Sequence, residues 1–290
     1  VALDPAGAVV LARGDVDAPL FARSCNKPIQ ATAMVRAGLS LRGRLLALVS
    51  ASHSGEPMHL EGVREILAGA ELPESALQTP SDFPLAGEAR DAYVAAGGVA
   101  SPIAMNCSGK HAGMLATCVA AGWPVDTYRD PGHPLQRRIA AELGALAGQD
   151  ATPVGVDGCG APLFGTTLVG LARAFGRIRQ AREGTPERAV AEAIGKFPEY
   201  VSGTRRDEAQ LLRAYPDAVA KAGAEGCYAV AMPDGTAVAL KVGDGGARAR
   251  PVVMAAALRE LGFDHPVLDD VGHVPVLGGG EPVGEIRAAF

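Results

Sequence analysis

Ser24 and Lys27, in Arg23-Ser24-Cys25-Asn26-Lys27-Pro28, have the spacing that sets an amine one helical turn from a hydroxyl. A lysine desolvated beside other cations loses its proton more readily and can then accept the proton of a serine that attacks a carbonyl. The same residues also fit an ordinary helix start, with Ser24 bonding a first-turn amide and Lys27 in water. Cys25 is a rival nucleophile, or a small buried apolar residue. A second polar stretch, Ser50-Ala51-Ser52-His53-Ser54-Gly55-Glu56-Pro57, offers Ser52 as a proton relay and His53 or Glu56 to orient a substrate; its bland reading is the turn into a helix opened by Pro57.

Asn106-Cys107-Ser108-Gly109-Lys110-His111 and Gly155-Val156-Asp157-Gly158-Cys159-Gly160 each set a thiol beside charged or imidazole groups among glycines. Cys107 and Cys159 with Asp157 could give zinc soft and hard ligands, although paired Cys-x-x-Cys spacing is missing. Plain turns are the competing reading, with Ser108 capping a helix that runs on through Met114, Leu115 and Cys118.

The elements that must position these groups follow from apolar spacing. Helices are predicted over Pro57 to Ala70, Pro134 to Ala147 and Arg250 to Leu261, with a further helix starting near Lys27 and running through Ile29 to Leu39. Strands are predicted at Ala8 to Ala12 and Leu45 to Ser50, and Cys227 to Met232 with Thr236 to Val242 reads as a hairpin about Pro233-Asp234-Gly235. Strand-like segments near both ends and a largely helical centre predict one α+β domain over residues 1–290, its sheet formed by the terminal regions.

Composition narrows the chemistry. With 48% apolar and 20% charged residues, the 290-residue chain has the make-up of a folded domain, not of a disordered one. A net charge of -5 leaves no cationic excess for nucleic-acid phosphates or anionic lipid, so a small-molecule partner is expected, without nucleic acid or membrane. Five scattered cysteines fit a reducing cytoplasm better than a disulfide framework, and no signal peptide is read at Val1. A nucleotide loop is excluded because Ala104 stands where a glycine should precede Gly109-Lys110. Gly-x-Ser-x-Gly and His-Glu-x-x-His do not occur, and the runs Gly243 to Gly246 and Gly278 to Gly280 read as turns.

Together, Arg23 to Gln30, Ser50 to Glu56, Asn106 to Met114 and Val156 to Pro162, followed by Lys241-Val242-Gly243-Asp244-Gly245, resemble the bacterial L-asparaginase II family typified by the rhizobial enzymes. The resemblance spans nearly the whole chain and implies a fold similar to serine β-lactamases and glutaminases, with about twenty further residues expected ahead of a start like Val1. It makes Ser24 the nucleophile and Lys27 its base, with Ser52 and Lys221 as a second Ser–Lys pair. Zinc would fall on Cys107, Lys110, Asp157 and Cys159, the lysine binding as a neutral amine. A cysteine that some members carry near the site is replaced around Asp207-Glu208.

The activity so implied is hydrolysis of L-asparagine to L-aspartate and ammonia through a Ser24 acyl-enzyme, by a homodimer. Asparagine's ammonium and carboxylate need opposite charges at fixed distance, for which Arg23, His53, Asn106 and Asp157 are the expected binding groups. The alternatives are a β-lactamase- or esterase-like acyl hydrolase built on the same pair, and a zinc-dependent binding protein without catalysis.

Overall fold

Short apolar runs closed by Gly, Pro and Asp turns set the strand plan, described over residues 1–290 by a computed structural model. In chain order the strands are β1 (Ala2–Leu3), β2 (Val9–Leu11), β3 (Val154–Val156), β4 (Pro162–Phe164), β5 (Val219–Ala222), β6 (Cys227–Ala231), β7 (Ala237–Lys241), β8 (Val274–Gly278) and β9 (Glu281–Ile286). The helices are α1 (Lys27–Arg36), α2 (Gly43–Val49), α3 (Pro57–Gly69), α4 (Gly87–Ala95), α5 (Ser108–Ala121), α6 (Pro134–Ala147), α7 (Leu168–Gln180), α8 (Pro186–Lys196), α9 (Pro198–Val201), α10 (Asp207–Ala214), α11 (Arg250–Glu260) and α12 (Val267–Gly272). A 3-10 turn, Arg23–Asn26, leads into α1.

The main sheet is antiparallel in the order β2-β1-β7-β6-β5, so the first residues of the chain add to a hairpin made more than two hundred residues later. That hairpin turns where predicted. Gly235 at φ +100° takes a conformation that side chains resist, and Asp234 accepts the Thr236 amide at 2.9 Å to close the turn. Strands β5 and β6 are buried along their whole length, because helices cover the sheet. One apolar core of 64 buried residues runs from Val219 and Tyr228 in the sheet to Leu46 and Leu143 in the helices. The chain is therefore α+β, with a terminal sheet and a helical middle, as its patterning predicts.

The predicted strand at Leu45 to Ser50 is instead α2. Leu46, Ala47, Leu48 and Val49 are all buried, and a short run apolar on every side carries no period that separates a helix from a strand. Two glycines of α5 explain the choice. A Cβ on Gly109 would lie 2.6 Å from the Leu48 carbonyl oxygen, and one on Gly113 would lie 2.6 Å from a Val49 methyl, so α5 lies directly on α2. That close approach brings the loop after α2 to the start of α5.

Candidate active site

Arg23 adopts φ +52°, a left-handed backbone that costs a non-glycine residue about 1–2 kcal/mol. Its side chain holds the turn there: Nε donates to Asp157 Oδ1 at 2.8 Å and Nη1 donates to Glu225 Oε1 at 2.6 Å. Asn26 fixes the other end through Nδ2 to the Phe164 carbonyl at 3.0 Å, and the Cys25 thiol donates to the Lys221 carbonyl at 3.0 Å. Ser24 is thus presented at the head of α1, partly exposed, and its hydroxyl caps no helix amide.

The Lys27 side chain is buried, 1% exposed, at the meeting point of three elements. Its amine donates to the Ala51 carbonyl, to Ser52 Oγ at 3.0 Å and to Cys107 Sγ at 3.1 Å. The solvated-lysine reading of this turn is therefore wrong. The amine's hydroxyl partner, however, is Ser52 and not Ser24. Ser52 is held in place by its own amide on the Val201 carbonyl, and the next amide, His53, reaches the Asn106 carbonyl at 3.0 Å.

His53 is fully buried behind the site, with Nε2 2.8 Å from Ser108 Oγ and the ring stacked on His59. Ser108 gives its single proton to the Ile103 carbonyl, so His53 Nε2 is the donor and Nδ1 is left bare. Burial, then His59 and Lys27, pushes its pKa well down, which keeps the ring neutral. As an expected substrate contact His53 is corrected: a neutral ring closed off from solvent positions Ser108 and the start of α5. Ser108 does not cap that helix, since its hydroxyl is taken by Ile103 and His53 and Cys107 holds the cap position. Asn106 is half-buried at the rim and accepts from the Cys107 thiol at 3.2 Å.

Cys107 and Cys159 lie together with Met105 and Ala161 in a small apolar cluster. Lys110 Nζ donates to Cys159 Sγ at 3.0 Å. The neighbouring Cys107 thiol lowers the Cys159 pKa against the pull of burial, helped by Lys110 and His111. Burial would lower the Lys110 pKa, but the neighbouring Cys159, Cys107 and Asp157 raise it. The fit of this group to zinc is specific. Three His, Cys, Asp or Glu side chains do not converge on one point, so the two sulfurs need Lys110 as a third donor. Asp157 stands at the edge, with Oδ2 3.7 Å from Cys159 Sγ and Oδ1 bound by Arg23 and the Gly158 amide. His111 Nε2, buried near Cys159, has no hydrogen-bond partner. Two thiols and an amine make a donor set that suits zinc, with Asp157 at its edge.

Lys221 does not meet Ser52. Its amine, fully buried on β5, donates to Glu208 Oε1 at 3.3 Å and to the Ala222 carbonyl at 2.7 Å. The hydrogen-bond partner of Ser52 is Lys27, and that of Lys221 is Glu208. Asp207 forms a partly buried ion pair with Arg250, and Glu208 a buried one with Lys221. Sequence reasoning missed Glu225 and Lys241. Lys241 ends β7, and its amine donates to the Glu225 carbonyl at 2.5 Å, so both residues border the Arg23 turn. The run Lys241 to Gly245, which the sequence had already singled out, was the available signal.

A partly exposed serine one helical turn from a buried lysine, with a thiol on the lysine's amine, is the arrangement of a hydrolase-like site with an adjoining soft-donor cluster. A model of the L-asparaginase II family matches residues 1–288, and the chain belongs to that family of hydrolases. Among solved structures, a β-lactamase from Mycobacterium bovis is similar at 18% identity over 90% of this chain and 94% of that one, with a TM-score of 0.49. No curated protein sequence matches the chain. No helix is long and apolar enough to cross a membrane.

Proposed function

We propose that this chain hydrolyses the side-chain amide of L-asparagine to L-aspartate and ammonia, with Ser24 as nucleophile and Lys27 as the base that serves it. The observation that carries this reading is the buried Lys27 amine, hydrogen-bonded to Ser52 and one turn from the accessible Ser24. Ser24 attacks the amide carbonyl as Lys27, in its neutral form, takes the hydroxyl proton. The proton then leaves with ammonia by way of Ser52, whose hydroxyl lies 3.0 Å from the amine. Water completes the cycle by attacking the Ser24 ester, with Lys27 again as base, and L-aspartate is released. Arg23 supplies the cation for the substrate's α-carboxylate, and Asp157 with Asn106 the acceptors for its ammonium. Zinc held by Cys107, Cys159 and Lys110 would tie the two glycine-rich loops together and act as a Lewis acid near the reacting carbonyl.

A second reading has Ser52 as nucleophile, favoured by its direct bond to Lys27, although Ser52 is the more buried of the two hydroxyls. An ammonia-release assay on L-asparagine separates them, run with and without zinc on the wild type, Ser24→Ala and Ser52→Ala. Loss of about a thousandfold or more in Ser24→Ala, with a smaller loss in Ser52→Ala, is the expected pattern. Turnover retained in Ser24→Ala and abolished in Ser52→Ala would overturn the assignment. No ammonia from the wild type with or without zinc would overturn the activity.

A further inference from the structure

The geometry points to a specificity role for Glu225: its carboxylate holds the place that the substrate's α-carboxylate takes, and must be displaced for binding. This inference rests on the asparaginase reading and names a residue outside the groups assigned there. Arg23, the residue before Ser24, is gripped by two carboxylates of different character. Asp157 has a side chain only 11% exposed and also accepts the Gly158 amide at 2.9 Å, so it is fixed. Glu225 has a side chain 55% exposed and can exchange its ion pair for water at little cost. Lys241 approaches the same carboxylate from the other side, with Nζ 3.7 Å from Oε2. One exposed carboxylate between a guanidinium and an ammonium, beside the nucleophile, is the setting that a free α-carboxylate would seek.

The backbone supports the assignment. Glu225 sits in the β5–β6 turn at φ +56°, next to Gly226 at φ +68°. A glycine would adopt this conformation without strain, whereas a glutamate is held there by Lys241 on its carbonyl and by Arg23 and Lys241 on its side chain. When a ligand brings its own carboxylate, Glu225 swings into solvent and the two cations close on the ligand. A ligand without a free α-carboxylate leaves the Arg23–Glu225 pair intact.

The test measures calorimetric affinity for L-aspartate and for L-asparagine methyl ester, together with KM for L-asparagine, on the wild type and three variants. Glu225→Gln removes the charge, Glu225→Gly also relieves the backbone, and Glu225→Asp keeps the charge on a side chain too short to hold Arg23. All three are expected to bind L-aspartate about two- to fivefold more tightly and to show a lower KM, the size of one exposed ion pair released. The ester, which lacks the free carboxylate, is expected to gain nothing. Unchanged or weaker L-aspartate binding in Glu225→Gln overturns the inference, as does an equal gain for the ester or a gain confined to the charge-removing variants. If the wild type turns over L-asparagine and the ratios do not move, only the role of Glu225 falls. If neither turnover nor L-aspartate binding is seen, the asparaginase reading falls with it.

Discussion

Lys27 owes its character to what surrounds it. Its amine is out of water and its three partners are a carbonyl, a hydroxyl and a thiol, none of them a carboxylate. Lys27→Met, similar in length and without charge, is expected to keep the fold and lose the reaction. Its denaturation midpoint should stay near that of the wild type, because the desolvation cost of a buried amine is removed along with its hydrogen bonds. Ammonia release should fall by about a thousandfold or more. A retained rate would show that the amine is structural. The Ser24–Lys27 spacing was legible in the sequence, but the amine's partners were not, since Ser52 and Cys107 lie 25 and 80 residues further on. Lys221 and Lys241 are both strand lysines, and only burial and partners separate a core ion pair from a group at the site.

Elements carry this site as much as residues do. In an exposed helix Gly→Ala is stabilising by ~0.5–1 kcal/mol, yet Gly109→Ala is expected to destabilise by about 1–3 kcal/mol, because its Cβ would meet the Leu48 carbonyl at 2.6 Å. The same shift would part Cys107 and Lys110 from Lys27, so activity should fall with stability. Urea midpoints and turnover measured together check both, and a rise in stability would contradict the direct seating of α5 on α2. The link between β5 and α10 makes a pH prediction. Burial, then the neighbouring Lys27 and Arg206, lowers the Lys221 pKa from 10.5 to about 8 despite Glu208. Between pH 8 and 10.5 the unfolded chain keeps a proton that the folded one has lost, so this group makes stability rise with pH across that window. Denaturation midpoints measured there should climb less in Lys221→Met than in the wild type, and equal slopes would contradict the lowered pKa. The helices α3, α6 and α11 were legible from apolar period to within a residue. The helix α2 was not, because burial on all sides erases the period.

At the scale of the whole molecule, the α+β plan was readable because the strand runs cluster near the ends and the helical periods lie between them. The meeting of four distant loops was not readable from local patterning, because it depends on close approaches such as the glycine contacts of α5. One part stands outside the common core. Strands β8 and β9 pair only with each other, and Val276, Leu277 and Val283 are exposed along them. A two-stranded hairpin of this kind adds little stability of its own. Truncation after His273 should move the melting temperature by no more than about 4 °C, roughly the effect of 1 kcal/mol in a chain of this size. A larger drop in calorimetry would show that the hairpin is integral to the core.

The most direct test of the central claim is peptide mapping by mass after acid quench during turnover of L-asparagine. A β-aspartyl ester on the peptide containing Ser24, absent from Ser24→Ala, is the result the Lys27-centred mechanism predicts. An ester on the Ser52 peptide, or ammonia release that persists in Ser24→Ala, would contradict it.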